Sequence, residues 1–313
     1  MDVNLNLLKK NDFRIVITDS GLGGLSVQAL IDKKLRINGN KKIELIYFNS
    51  FAGGNLGYNS LKNNNDKLIV FDSALQGMMK FNPDMILIAC NTLSVLYDQT
   101  EAAKQIKIPV IGIVESGIEM LLSKTNIVSD FNVIVIGTET TINSNIHKSK
   151  LIEFGIDENK IINQSCENLE SEIQINPNST EVNILVKKYL HEAIKKIRDP
   201  KKHFFVVLAC THYVYSKNVF EEKMSELVGK NYTIINPNEK MADIFNGIIA
   251  NSNSRENIVT NRVLSRVKLK EDQINILSKL LINDSRNLVD ALIRNEHIPN
   301  LFTFDEKFLS IEH

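Results

Sequence analysis

The chain has 313 residues, 43% hydrophobic and 24% charged, an ordinary globular balance that argues against wholesale disorder. Its 37 basic and 37 acidic side chains cancel, so nothing steers it towards nucleic acid or an anionic membrane. No apolar run reaches the roughly 20 residues of a membrane span, no secretion-type apolar core opens the chain, and three cysteines are too few for a disulfide scaffold.

A reduced, cytoplasmic location follows as the default. Along the chain, short apolar runs alternate with amphipathic stretches, the pattern of βα units around a parallel sheet. Residues 14–18 predict a strand ending at Asp19-Ser20, with Gly21, Gly23 and Gly24 turning into a helix near Leu25. Residues 43–48 predict a second strand, followed by a Gly/Asn-rich loop over 49–59. A helix over 65–80 leads to a strand at 85–89, directly before Cys90. A helix around 97–106 and a strand at 109–114 come next.

The run 133–136 ends at Gly137-Thr138 and repeats the logic of 15–20. After it the pattern predicts a helix over 142–154, a short strand at 161–162 and a polar loop over 167–180. Val182, Leu185, Val186, Leu190, Ile194 and Ile197 have helical spacing across 181–197. A strand at 204–209 precedes Cys210, then a helix over 214–227 and a strand at 232–235. Beyond about Asn251 the chain is charge-rich and helix-prone, with Asp284 placed to N-cap a helix over 285–294.

A strand with a polar tip therefore occurs at Asp19 and Cys90, then again at Thr138 and Cys210. This predicts two similar α/β halves. A single cysteine at a strand end is more often a small buried hydrophobe than a catalyst. Here, however, both thiols are followed by hydrogen-bonding side chains, Asn91-Thr92 and Thr211-His212. Carboxyl ends of strands in open α/β sheets are where ligands bind. His212 is close enough along the chain to exchange a proton with Cys210, or it packs at a helix start. Asp19 reads either as acid/base partner or as a cap for the glycine-rich turn. Cys166, with no apolar strand before it, reads as a buried hydrophobe. The other histidines (His147, His191, His203, His297, His313) stand alone and read as surface residues.

GLGGLS lacks the third glycine of a dinucleotide fingerprint and the lysine of a phosphate loop, so it reads as a turn presenting amides to a small anion. Cys90, Cys210 and His212 make a weak zinc signature, and no metal is expected.

Five segments resemble the glutamate racemases of the cofactor-independent aspartate/glutamate racemase superfamily: DSGLGGLSV from Asp19, ACNTLS from Ala89, IPVIGIVE from Ile108, IGTETTINS from Ile136 and ACTHY from Ala209. They stand in the family's order over roughly the first 240 residues. The resemblance implies two doubly wound parallel-sheet α/β domains related by pseudo-symmetry, with the active site in the interdomain cleft. It assigns residues 1–112 and 214–313 to a discontinuous first domain with a C-terminal helical extension, and 113–213 to the second.

The implied chemistry is two-base racemisation without any cofactor. Cys90, assisted by Asp19, would serve one enantiomer, and Cys210, assisted by His212, the other. Ser20, Tyr58, Asn91, Thr92, Thr138, Thr141 and Thr211 would hold a small amino-acid substrate. D-Glutamate so produced would feed peptidoglycan synthesis for the bacterial cell wall. A homodimer is left open. The chain departs from the family where the substrate side chain is read. Ser50 stands where an aspartate is expected, Tyr58 is flanked by Gly57 and Asn59, and Gln174 replaces a glutamate. An aspartate or other amino-acid racemase, or a non-catalytic carboxylate-binding descendant, are the alternatives.

Overall fold

The computed structural model describes residues 10–36, 41–54, 56–61, 63–128, 130–246 and 257–309. In chain order these form β1 (Asp12–Asp19), α1 (Leu25–Leu35), β2 (Lys42–Asn49), α2 (Asn64–Met79), β3 (Met85–Ile88), α3 (Asn91–Leu96), α4 (Glu101–Gln105) and β4 (Val110–Gly112). Next come α5 (Ile113–Thr125), β5 (Phe131–Gly137), α6 (Glu139–Asn143), α7 (Ile146–Glu153), β6 (Ile161–Ser165) and α8 (Leu169–Ile175). They are followed by α9 (Thr180–Lys195), β7 (His203–Ala209), α10 (Lys217–Val228) and β8 (Tyr232–Ile235). Then follow α11 (Pro237–Ala242), β9 (Ile258–Ser265), α12 (Glu271–Leu281), α13 (Arg286–Ile293) and β10 (Glu296–His297).

The chain divides into two compact units, residues 1–112 with 241–313, and residues 113–240. In the first, six parallel strands lie in the order β10-β9-β2-β1-β3-β4. β1 pairs with β2 from Asp12↔Lys42 to Asp19↔Asn49, and on its other flank with β3 from Ile15↔Met85 to Thr18↔Ile88. Ile15, Val16, Ile17, Leu45, Phe48, Ile86 and Leu87 are all buried, as expected of strands covered on both faces. The path steps from β1 to β2 on one side and crosses back to β3 on the other. The strand order thus reverses between β1 and β3, the place where such sheets open a ligand crevice at their carboxyl ends.

The second unit carries four parallel strands in the order β6-β5-β7-β8. This matches β2-β1-β3-β4 of the first unit strand for strand. The reversal here falls between β5 and β7, which pair from Phe131↔His203 to Gly137↔Ala209. Each reversal is tight enough to need a glycine. A Cβ on Gly24 would lie 3.0 Å from the Cβ atoms of both Asp19 and Ala89. One on Gly137 would lie 2.9 Å from the Ala209 carbonyl oxygen. Only a missing side chain lets the strand ends come so close.

Several sequence expectations change. The second unit does not end at residue 213, because β8 pairs with β7 from Phe204↔Tyr232 to Val207↔Ile235 and keeps the chain in that unit until Lys240. The C-terminal segment is not merely helical: β9 pairs with β2 along its length, from Lys42↔Ile258 to Asn49↔Ser265. The strand expected over 109–114 stops at Gly112, since Ile113, Val114, Gly117, Ile118 and Leu121 are the buried face of α5.

The helix expected over 97–106 starts earlier, at Asn91, and a new one begins where Thr100 accepts the Ala103 amide. Asn145, at φ 58°, interrupts the helix expected over 142–154. The polar loop over 167–180 contains α8, whose two buried apolar residues, Leu169 and Ile173, give too weak a periodic signal. The segment 214–227 starts in a 3-10 turn, Thr211–Ser216, before α10. Ser285 rather than Asp284 caps α13, its Oγ accepting the Leu288 amide at 3.0 Å. His147 is buried rather than on the surface, and His313 lies outside the described residues. Among the described residues no helix is long and apolar enough to cross a membrane.

Candidate active site

Each unit presents one thiol at its strand-order reversal. In the first, Cys90 stands one residue beyond β3, after Ala89, extended at φ −87°, ψ 127°, and is the N-cap residue of α3. Asp19 ends β1 beside it, the Ala89 amide donating to the Thr18 carbonyl at 2.9 Å. Ser20 links the two. Its Oγ is 3.2 Å from Cys90 Sγ, either atom able to donate, and it donates to Asp19 Oδ1 at 3.4 Å. Asp19 Oδ1 also accepts the Gly21 amide at 3.1 Å, so it caps the glycine turn and faces the thiol at once. Asn91 and Thr92 are buried in the first turn of α3.

Burial, and next the charge of Asp19, push the Cys90 thiol up to about 12; the Ser20 hydroxyl and the Leu93 and Ser20 amides pull it the other way. The resting group is a protonated thiol. Tyr58 is buried too, and its hydroxyl has no hydrogen-bond partner among the described residues. Its ionisation is pushed well up by burial and then by negative charge on Cys90, so ring and thiol are electrostatic neighbours. Ser50, at the position where an aspartate was expected, spends its Oγ on Thr18 Oγ1 at 2.7 Å.

In the second unit Cys210 follows β7, extended at φ −153°, and opens the 3-10 turn. His212 is buried in that turn, with Nδ1 3.9 Å from Cys210 Sγ. Its Nε2 lies 3.0 Å from Gln174 Oε1, contributed by α8. Thr138 follows β5 and caps α6: its Oγ1 accepts the Thr141 amide at 3.5 Å and donates to Thr141 Oγ1 at 3.1 Å. The Thr211 carbonyl accepts from Asn238 Nδ2 at 3.3 Å.

Every site residue expected from the sequence thus sits at or beside one of these two strand-end clusters: Asp19, Ser20, Tyr58, Cys90, Asn91 and Thr92 in the first unit, Thr138, Thr141, Cys210, Thr211 and His212 in the second. Cys166 directly follows β6, contrary to the expectation that no strand precedes it; its amide donates to the Gly137 carbonyl at 2.9 Å, and burial pushes its thiol upward. The contact between Gln174 and His212 was missed, since 38 positions and a helix separate them. The clue in the sequence was that Gln174 occupies a site where a glutamate was expected. Among the described residues no three His, Cys, Asp or Glu side chains gather as a metal-ligating group.

The pattern of the Asp/Glu/Hydantoin racemase family matches residues 23–240. A glutamate racemase of Hydrogenobaculum sp. is 30% identical over 203 residues, covering 64% of this chain and 70% of that one. One from Aquifex pyrophilus is 29% identical over 224 residues, 68% of this chain and 76% of its own. The crystal structure of a Bacillus anthracis glutamate racemase superposes with a TM-score of 0.67 at 23% identity, covering 87% of this chain and 95% of that one. At that identity the likeness speaks for the fold alone. On the length of the family match and the identity to these relatives, the chain belongs to the Asp/Glu/Hydantoin racemase family.

Proposed function

We propose that the chain is a cofactor-independent glutamate racemase that moves the α-proton between two thiols. One observation carries the reading: a cysteine follows the strand at the order reversal in each of two sheets of matching topology. The names of the Hydrogenobaculum and Aquifex relatives support glutamate as the substrate.

In this mechanism the thiolate of Cys90 takes the α-proton, and the electron pair left on carbon delocalises into the α-carboxylate. The thiol of Cys210 then delivers its proton to the opposite face. The reverse direction exchanges the roles. Since the Cys90 thiol is held protonated at rest, the substrate must help ionise it. Its α-ammonium brings a positive charge to a buried site, which favours the thiolate, and Asp19 accepts the released proton through Ser20. Hydroxyls and amides of Ser20, Asn91, Thr92, Thr138, Thr141 and Thr211 hold the α-carboxylate and ammonium, stabilising the carbanion by preorganised donors. Three free cysteines suit a reducing cytoplasm.

A second reading has its own support. Ser50 is engaged by Thr18, so the chain departs from the family where the substrate side chain is read, and a related amino acid such as aspartate is the second candidate. Proton NMR in deuterated water, with L- and D-glutamate and then L- and D-aspartate, separates the readings. Loss of the α-proton signal from both enantiomers of one pair names the substrate. Retention of every α-proton refutes racemisation of either pair and leaves a racemase of another amino acid or a binding protein.

A further inference from the structure

In the first unit, the loop after β2 is held from the far end of the chain. Asn49, the last residue of β2, is in register with Ser265, the last of β9, and its Nδ2 donates to Ser265 Oγ at 3.1 Å. Asn49 Oδ1 accepts the Phe51 amide at 3.1 Å. One residue on, the Arg266 guanidinium donates to the Ala52 carbonyl at 3.0 Å. That guanidinium is stacked, its carbon 5.4 Å from the ring centre of Phe302 and 4.7 Å from that of Phe304. Gly53, at φ +103°, follows so closely that a Cβ would meet Val267 Cγ1 at 2.8 Å. Ser265, Arg266 and Val267 therefore meet residues 49, 52 and 53 in turn.

This loop leads to Tyr58, whose buried hydroxyl has no hydrogen-bond partner among the described residues and whose ionisation responds to Cys90. A buried hydroxyl without a partner among the described residues is one that a bound ligand can satisfy. A guanidinium resting against two rings that stack on each other is ordered before it bonds, so it can hold a loop carbonyl with little further loss of freedom.

We propose that Arg266 is a positioning residue for substrate selection: it fixes the loop that presents the Tyr58 hydroxyl to the polar side-chain group of the amino acid bound at Cys90. The proposal rests on the racemase reading for its substrate. It assigns specificity to residues beyond the matched segment 23–240, while proton transfer stays with residues at the strand ends.

The test combines amide hydrogen exchange on the free protein with steady-state kinetics, for R266A, R266K and F304L. Exchange at residues 51–54 should quicken roughly tenfold in R266A, with β3 and β5 unchanged. KM should rise roughly tenfold while kcat stays within about threefold. R266K, which keeps the charge but loses the planar fork, should fall between. F304L, which removes one stacking ring, should move both readouts in the same direction and serves if R266A does not fold. Unchanged exchange at 51–54 together with unchanged KM overturns the proposal. So does faster exchange throughout the unit with kcat falling as much as kcat/KM, which marks a general brace. If no protein racemises any amino acid, the racemase reading fails while the exchange data still decide whether Arg266 holds the loop.

Discussion

His212 Nε2 lies 3.0 Å from the side-chain oxygen of Gln174, and that contact assigns the proton of the neutral imidazole. An amide oxygen only accepts, so Nε2 carries the hydrogen and the Nδ1 lone pair is left towards Cys210 Sγ, 3.9 Å away. This tautomer can take a proton from the thiol. The first-unit counterpart is different in kind, a carboxylate reached through Ser20. The two thiols thus have partners of unequal charge.

Replacing Gln174 by glutamate puts a charged acceptor at His212 Nε2. A carboxylate there keeps the hydrogen bond to Nε2 and adds a negative charge beside the partner of Cys210, so kcat/KM should change by on the order of tenfold. Measuring kcat/KM against pH from both enantiomers checks this. An unchanged kcat/KM in Q174E would show that the contact with His212 does not matter to turnover.

Asp19 has two effects on Cys90 that can be separated. Its negative charge is the second cause, after burial, of the raised thiol pKa. Asp19→Asn should therefore lower that pKa and speed iodoacetamide alkylation of Cys90 severalfold at pH 8.5, read by peptide mass spectrometry. As the proposed proton acceptor, the same residue should cost turnover when lost, about 10²-fold or more. A more reactive thiol in a slower enzyme is the expected pairing; slower alkylation would contradict it.

His147 sets an acid limit on stability. It is buried, and desolvation first, then the Lys150 charge, lower its pKa to about 4 from 6.5. Between those values the unfolded chain binds a proton that the folded one refuses. The associated stability is complete above pH 6.5 and drains away as pH falls to about 4, amounting to about 3 kcal/mol. His147→Leu should flatten this slope. Urea denaturation of both proteins at several pH values from 7 to 4.5 decides it, parallel slopes being the unfavourable result.

What could be read from the sequence was whatever burial on both faces writes locally. The runs before Asp19, Cys90, Thr138 and Cys210 are short, apolar and β-branched, so the strands and the polar residues and thiols at their ends were legible together. β9 escaped because Asn261 and Arg262 interrupt its apolar run. Those two are tolerated only because Asp32 accepts from Asn261 at 2.7 Å and Glu296 from Arg262 at 2.7 Å. Such partners lie far along the chain and leave no local trace. The break at Asn145 was hidden for another reason: only its left-handed backbone gives it away.

The buried carboxylate of Asp32 joins α1 to the C-terminal segment. Its oxygens accept from Arg36 Nε at 2.9 Å, Arg36 Nη2 at 2.8 Å, Asn261 Nδ2 at 2.7 Å and Ser285 Oγ at 2.6 Å. Asp32→Ala strips four donors at once and should cost about 3 kcal/mol. A denaturation midpoint within experimental error of the parent would count against this network as a stabilising element.

The position of β9 also bears on how the chain is made. During synthesis β2 emerges early, yet the neighbour that covers its outer edge starts at Ile258, more than 200 residues later. Residues 113–240 leave the ribosome in one piece and hold all four strands of their own sheet. The first sheet must wait with an apolar strand unpaired, and such an edge is a template for pairing with other chains. The order of birth and the order of completion are therefore opposite: the part that begins the chain is the last to close.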